Sequence, residues 1–396
     1  MNMFEKAQPL VMDPIIYLMR EYRADTRPQK INLGIGVYTS DQGITPIFTA
    51  VKKAEEKILR EQDTKEYVSV SGDEGFLTQV SKLMLPKLTY GDEIAGIQTV
   101  GGSGAVRMVL ECLARLGTER TLWLSSPTWP NHKGIAAATG YETRTFQYVD
   151  DKMQIDVERI IADLADAKSG DVILMHLCCH NPTGVDPTEE QLQALFEAFR
   201  EKGLFPVVDA AYVGFGDELE NDVAKFQRYV DAFPEVTFAI SFSKNFGIYR
   251  ERTGCAFLCG HDGSALKRAL ESMFAIARAG YSMPPDHGSR IVRTILESKA
   301  LDTEWRAELS AVRNRIRGTR QELARQLSEK APRFDWSYLR DGMGMFSLLP
   351  LTVEGVEQMK ADDAIYVMPS GRINIAGLAA SRLDGVVDSI ARNLPG

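Results

Sequence analysis

The chain has 396 residues, 44% of them hydrophobic and 25% charged, with a formal net charge of -8. That length is more than one core usually serves, so a large unit plus a smaller one is expected. The acidic balance, without a long basic run, argues against nucleic acid as a partner, and no apolar run is long enough to cross a bilayer, which argues against a membrane.

The five cysteines, Cys112, Cys178, Cys179, Cys255 and Cys259, are odd in number and form no paired CxxC motifs, so they read as reduced, mostly buried thiols. The first ten residues, MNMFEKAQPL, have neither the apolar core of a secretory signal nor the Arg/Ser-rich character of a transit peptide. Both points suggest the cytoplasm.

In chain order, the stretch Ile31–Tyr38 could join either unit. Between about Ile94 and Gly260, short apolar or β-branched runs recur at Ile97–Val100, Thr121–Leu124, Val172–Leu177, Leu204–Val208, Thr237–Ile240 and Cys255–Leu258, with helical stretches such as Ala105–Leu116 and Glu189–Lys202 between them. This alternation predicts an α/β fold with a largely parallel sheet covered by helices on both faces. After Pro284-Pro285 come long amphipathic helices, Ser289–Lys299 and Glu304–Glu329, and a second unit is expected to begin within the longer one. Strand-like Gly344–Leu349 and Arg372–Ala376 among helical segments make that unit a small α+β domain.

In open parallel sheets ligands sit at the carboxyl ends of strands, which draws attention to the polar residues found there. Ile97–Val100 runs into Gly101-Gly102-Ser103-Gly104 and then a helix, an arrangement that either cradles a phosphate on free N–H groups or is only a tight turn. The absence of GK[ST] disfavours a nucleotide-hydrolysing loop. Leu204–Val208 leads to Asp209 and Tyr212, where Asp209 could equally cap a helix. Val172–Leu177 leads to Cys178-Cys179-His180-Asn181-Pro182, where Asn181 could be only a turn former. Thr237–Ile240 leads to Ser241, Ser243 and Lys244, with Arg252 close by in sequence. Most lysines are exposed and inert, but one set among hydroxyls beside an arginine suits a phosphate and an amine nucleophile, and a buried lysine of lowered pKa forms Schiff bases. His132, His176 and His180 match no common zinc spacing and read as core histidines or supports for a neighbouring side chain, so no metal is expected. Packing is the default for the aromatics Trp129 and Tyr67.

The stretches INLGIGVY, TVGGSGAVRM, SSPTWPNHK, CCHNPTGVDPT, VVDAAYVGFG, SFSKNFGIYRERTG, RAGYSMPPDHG, GMFS and SGRINIAGL, in this order, resemble the fold-type I aspartate and aromatic-amino-acid aminotransferases over nearly the whole chain. The resemblance implies a large domain with a mostly parallel seven-stranded sheet plus a smaller α+β domain. It divides the chain into an N-terminal arm (1–11), a small domain in two parts (12–45 and 313–396) and a large cofactor-binding domain (46–312). It implies a pyridoxal 5'-phosphate enzyme in which Lys244 binds the cofactor and shuttles a proton, Asp209 pairs with the pyridine nitrogen, Asn181 and Tyr212 donate to the ring's phenolic oxygen, and Trp129 stacks on the ring.

By the same resemblance Gly102, Ser103, Ser241, Ser243 and Arg252 hold the phosphate, joined by Tyr67 from a partner subunit. Arg372 clamps the substrate α-carboxylate beside Gly36, Trp129 and Asn181 also face the substrate, and Arg278 of the partner binds a distal carboxylate. A homodimer with shared active sites follows. Val37 and Thr45 resemble the aspartate type and Ser103 the aromatic type, whereas Thr39, Glu66 and Met283 match neither. The expected reaction is ping-pong transfer of an amino group from aspartate, glutamate or an aromatic amino acid to 2-oxoglutarate or another 2-oxo acid. Decarboxylation or β-elimination with the same cofactor, or a non-catalytic protein keeping the fold, are the alternatives.

Overall fold

The structure is a computed structural model and describes residues 3–7, 14–117 and 121–395. The expected N-terminal arm therefore lies partly outside the described residues.

Eleven strands occur among the described residues: β1 (Ile31–Asn32), β2 (Ile94–Val100), β3 (Thr121–Ser126), β4 (Glu142–Gln147), β5 (Val172–His176), β6 (Phe205–Ala210), β7 (Glu235–Ser241), β8 (Thr253–Gly260), β9 (Phe346–Leu348), β10 (Ile365–Tyr366) and β11 (Arg372–Asn374). Seven form one sheet in the order β2-β8-β7-β6-β5-β3-β4. Only β8 runs against its neighbours, pairing antiparallel with both β2 and β7. The other pairs are parallel. Six of these strands coincide with the apolar runs, while β4, whose sequence ETRTFQ is mostly exposed, is a polar edge strand with no apolar run to betray it.

The sheet is covered on both faces. Successive residues of a strand point to opposite sides, and here Val172 and Leu174 enter one apolar cluster while Ile173 and Met175 enter the other. Every position of β5 and of β8 is buried, as two-sided cover requires.

Three local differences from the sequence reading bear on the site. The helix after β2 begins at Gly101 rather than Ala105, so the glycine run forms its first turn. Strand β6 continues through Asp209 to Ala210, and the next helix starts only at Leu219. Asp209 is thus a strand residue and caps no helix. Ser241 likewise closes β7 instead of following it.

The segment at 31–33 is stitched to the C-terminal part of the chain. Strand β1 pairs with β10, Leu33 N–H donates to Tyr366 O at 2.8 Å, and Asn374 N–H donates to Leu33 O at 2.6 Å. Strands β9 and β11 form a second small antiparallel sheet. The helices expected after Pro285 are Asp286–Glu297 and Lys299–Lys330, the latter capped by Ser298. Within it the fully buried Trp305 stacks on Phe246 at 4.3 Å and donates from Nε1 to Asn245 O at 2.8 Å. It ties the loop after Lys244 to the longest helix of the fold.

Candidate active site

Because β2 and β7 both run opposite to β8, the carboxyl ends of β2, β3, β5, β6 and β7 meet along one edge of the sheet. A cavity of about 200 Å³ opens there, lined by residues of these ends and of the segments around Gly36, Phe346 and Arg372. Of the fourteen residues the sequence singled out, Gly36, Gly102, Ser103, Trp129, Asn181, Asp209, Tyr212, Ser241, Ser243, Lys244, Arg252 and Arg372 line it. Tyr67 and Arg278 do not, and both are exposed, Tyr67 by 92%.

One end of the cavity is built for an anion. The helix Gly101–Leu116 has no side-chain cap; Gly101 N–H donates to Arg252 O at 2.8 Å, and the partial positive charge of a helix start lies with the N–H groups that follow. Arg252 donates to Ser243 Oγ at 3.3 Å and to Tyr249 O at 3.0 Å, which fixes its guanidinium beside that helix start. The approach leaves no room for side chains: a Cβ on Gly101 would lie 2.6 Å from Arg252 Nη2, and one on Gly102 would lie 2.7 Å from Ser241 Cβ. Gly101 also has φ +66, which glycine adopts without strain.

The other end is a buried carboxylate. Asp209 is 4% exposed, and its Oδ2 lies 3.0 Å from His132 Nε2, whose Nδ1 lies 2.8 Å from Thr128 Oγ1. Burial works to raise the Asp209 pKa, but the hydrogen bond and charge of His132, followed by His176 and Lys244, outweigh it and hold the carboxyl below its usual range. His176 pairs with Asp209 across β5 and β6 and also lines the cavity. Burial, then the charge of His132, pushes its imidazole down to about 4. His132, His176 and Asp209 could in principle ligate a metal, since their donor atoms lie within 4.8 Å of one another. His132 and Asp209 are already joined by a direct hydrogen bond.

Between the two ends stands Lys244, half-buried, with Nζ 4.9 Å from the centre of the Tyr212 ring. Desolvation lowers its pKa to about 8, Asp209 opposing and Arg252 adding to the shift. A substantial fraction of this amine is therefore neutral near physiological pH, as a nucleophilic lysine needs.

Asn181, Tyr212 and Arg372 form one hydrogen-bonded line. Asn181 Nδ2 donates to Tyr212 Oη at 3.2 Å, and Arg372 Nη1 donates to Asn181 Oδ1 at 3.3 Å. Arg372 Nη2 donates to Gly34 O at 2.7 Å, and its guanidinium lies 4.5 Å from the centre of the Phe346 ring. Phe346 meets Tyr212 edge-on at 6.0 Å, and a Cβ on Gly36 would lie 2.8 Å from Phe346 Cζ. Glycine at 36 is what lets this segment close on the aromatic ring.

Residues that line the cavity without having been singled out are Ile15, Ala211, Tyr249 and Phe346, and His176 had been read only as a core or supporting residue. Phe346 lies within the GMFS stretch and Tyr249 within the stretch that holds Lys244, so sequence neighbourhood was the available signal. Nothing marks Ile15.

Residues 28–390 match the family model for aminotransferase class I and II. The aspartate aminotransferase of Salmonella typhi is 41% identical over 392 residues, covering 98% of this chain and 99% of that protein. The aromatic-amino-acid aminotransferase of Paracoccus denitrificans is 41% identical over 377 residues, 95% of this chain and 96% of that one. Among solved structures, the aromatic-amino-acid aminotransferase of Burkholderia pseudomallei, covalently bound to pyridoxal phosphate, superposes with a TM-score of 0.95 at 33% identity and full coverage of both chains. The chain belongs to the class I and II aminotransferase family and is an aminotransferase.

Proposed function

We propose that this aminotransferase uses pyridoxal 5'-phosphate to move the amino group of aspartate, glutamate or an aromatic amino acid to 2-oxoglutarate or another 2-oxo acid. The observation that carries the reading is Lys244, an amine of lowered pKa set between an anion cradle and a buried ionised carboxylate in one cavity. The donor set fits the cofactor: a dianionic phosphate suits Arg252, Ser241, Ser243 and the open helix start, and the tight packing of Gly102 on Ser241 brings backbone to the anion where a side chain would block it.

Bound here, the cofactor supplies an electron sink for the pair left when the substrate α-proton departs. The chain's residues do the rest. Lys244 would hold the cofactor through its side-chain nitrogen, and its amine, when free, would carry the proton to and from the substrate α-carbon. Asp209, kept ionised by His132, keeps a proton on the pyridine nitrogen. Asn181 and Tyr212 would supply donors to the ring oxygen, and Trp129 would offer the ring a flat apolar surface. Arg372, already held by Asn181 and Gly34, presents its fork to the α-carboxylate.

The equal identity to an aspartate and an aromatic-amino-acid enzyme, with Ser103 of one type and Val37 and Thr45 of the other, supports activity on both classes. In the proposed homodimer, exposed Tyr67 and Arg278 reach the partner's cavity, Tyr67 at the phosphate and Arg278 at a distal carboxylate. Pairing of β1 with β10 supports a small domain made of 12–45 and 313–396 around the large domain 46–312. No helix among the described residues is long and apolar enough to cross a membrane, in keeping with the proposed cytoplasmic setting. The test is incubation of the cofactor-loaded protein with 2-oxoglutarate and, separately, aspartate and tyrosine. Glutamate and the matching 2-oxo acid are expected from both, and failure with both would refute the substrate assignment.

A further inference from the structure

The turn that carries Asn181 and the turn that carries Tyr212 are each gripped by a carboxylate behind the cavity. Asp186 accepts hydrogen bonds from Cys179 N–H at 2.7 Å and His180 N–H at 2.9 Å. Asp222, fully buried, accepts from Gly214 N–H at 2.8 Å and Gly216 N–H at 3.0 Å through Oδ2. Both grips fall where the backbone is in the left-handed region, at φ +55 for Cys179 and +90 for Gly214. A non-glycine residue such as Cys179 holds that conformation only when its surroundings enforce it.

A single ammonium joins the two grips. Lys225, on the helix Leu219–Ala232, places Nζ 3.7 Å from Asp186 Oδ2 and 3.7 Å from Asp222 Oδ1. The Asp222 side chain is wholly buried and that of Asp186 nearly so, and Asp222 Oδ1 has no hydrogen-bond partner. Two carboxylates so placed repel one another unless a cation stands between them. Burial acts to lower the Lys225 pKa, yet the surrounding acids, Asp186 first, hold it above that of an ordinary lysine.

We propose that Lys225 is a positioning residue: by bridging Asp186 and Asp222 it locks the two turns together and so holds Asn181 and Tyr212 as one donor unit for the ring oxygen of the cofactor. The contact it governs is Asn181 Nδ2 to Tyr212 Oη at 3.2 Å. The inference rests on the reading of Asn181 and Tyr212 given above.

The test follows the visible absorbance of the cofactor-loaded protein across pH. Donors to the ring oxygen draw charge from it, so it holds the proton on the neighbouring Lys244 nitrogen less firmly, and weakening them raises the titration midpoint. Asn181→Ala and Tyr212→Phe, which remove the donors directly, should both raise it. Lys225→Met and Asp186→Asn should raise it by about half a unit and by less than the direct removals, whereas Lys225→Arg, which keeps the bridging charge, should stay near the parent value. Asp186→Asn is nearly isosteric and keeps the test alive if Lys225→Met does not fold. If the direct removals move the midpoint while folded Lys225→Met or Asp186→Asn titrates as the parent does, Lys225 is a plain structural ion pair and the inference is wrong. If the direct removals leave it unmoved, the assignment of Asn181 and Tyr212 fails first and the inference falls with it.

Discussion

His132 Nε2 lies 3.0 Å from Asp209 Oδ2, a contact in which neither side chain is more than 5% exposed. A buried carboxylate without such a partner would take up a proton and could no longer keep one on a ring nitrogen. Asp209→Ala should therefore retain some cofactor but lose turnover by on the order of 10²–10⁴-fold. His132→Ala removes one hydrogen bond to a charged group, worth about 1.5–3 kcal/mol, and should cost roughly ten- to a hundredfold. Steady-state rates of the loaded variants check both, and near-normal turnover of Asp209→Ala would remove that residue from the mechanism.

Lys244 gives a pH prediction. With its pKa lowered to about 8 by burial, the neutral, reactive fraction of the amine rises as pH increases through 8. At pH 8 about half is neutral, against roughly one part in three hundred for a lysine near 10.5. In the cofactor-free protein, an amine-directed reagent should label Lys244 with a midpoint near pH 8, well below the surface lysines. A midpoint near 10.5 would mean the cavity does not desolvate the amine.

Arg278 lies exposed in the last turn of the helix Gly263–Gly280, outside its own chain's cavity. If it completes the partner's site, Arg278→Ala should weaken aspartate by about 2–5 kcal/mol in kcat/KM while leaving tyrosine nearly unchanged, since only the dicarboxylate loses an ion pair. Parallel kinetics on the two substrates decide it, and equal losses would place Arg278 elsewhere.

The proposed shared site has a sharper consequence. A mixed dimer of Lys244→Ala and Arg278→Ala chains contains one doubly damaged site and one assembled from intact residues. Aspartate activity should reappear on mixing. If subunits demonstrably exchange and activity does not return, the two residues do not meet across an interface.

What the sequence made legible follows physical lines. Apolar strands announced themselves, and residues at their ends, such as Asn181, Ser243 and Lys244, line one cavity because parallel strands collect their carboxyl ends together. Polar β4 stayed hidden, and so did the reversal of β8, since an apolar run carries no direction. Contacts between distant segments were out of reach of periodicity. His132 reaches Asp209 across 77 positions, and Arg372 reaches Asn181 across 191. The family resemblance pointed to Arg372 and Trp129 where composition and spacing alone did not. The bridge at Lys225 belongs to the same hidden class, because it depends on three side chains meeting behind two turns.

The central claim is that Lys244 carries the cofactor, and covalent trapping tests it most directly. The cofactor-loaded protein should be yellow, and borohydride should bleach it and fix the pyridoxyl group in place. Peptide mass spectrometry is then expected to find that mass on Lys244 in the segment Ser241–Gly247, with none on Lys244→Ala protein treated in the same way. A pyridoxyl group on another lysine of the wild-type chain, with Lys244 unmodified, would contradict the account.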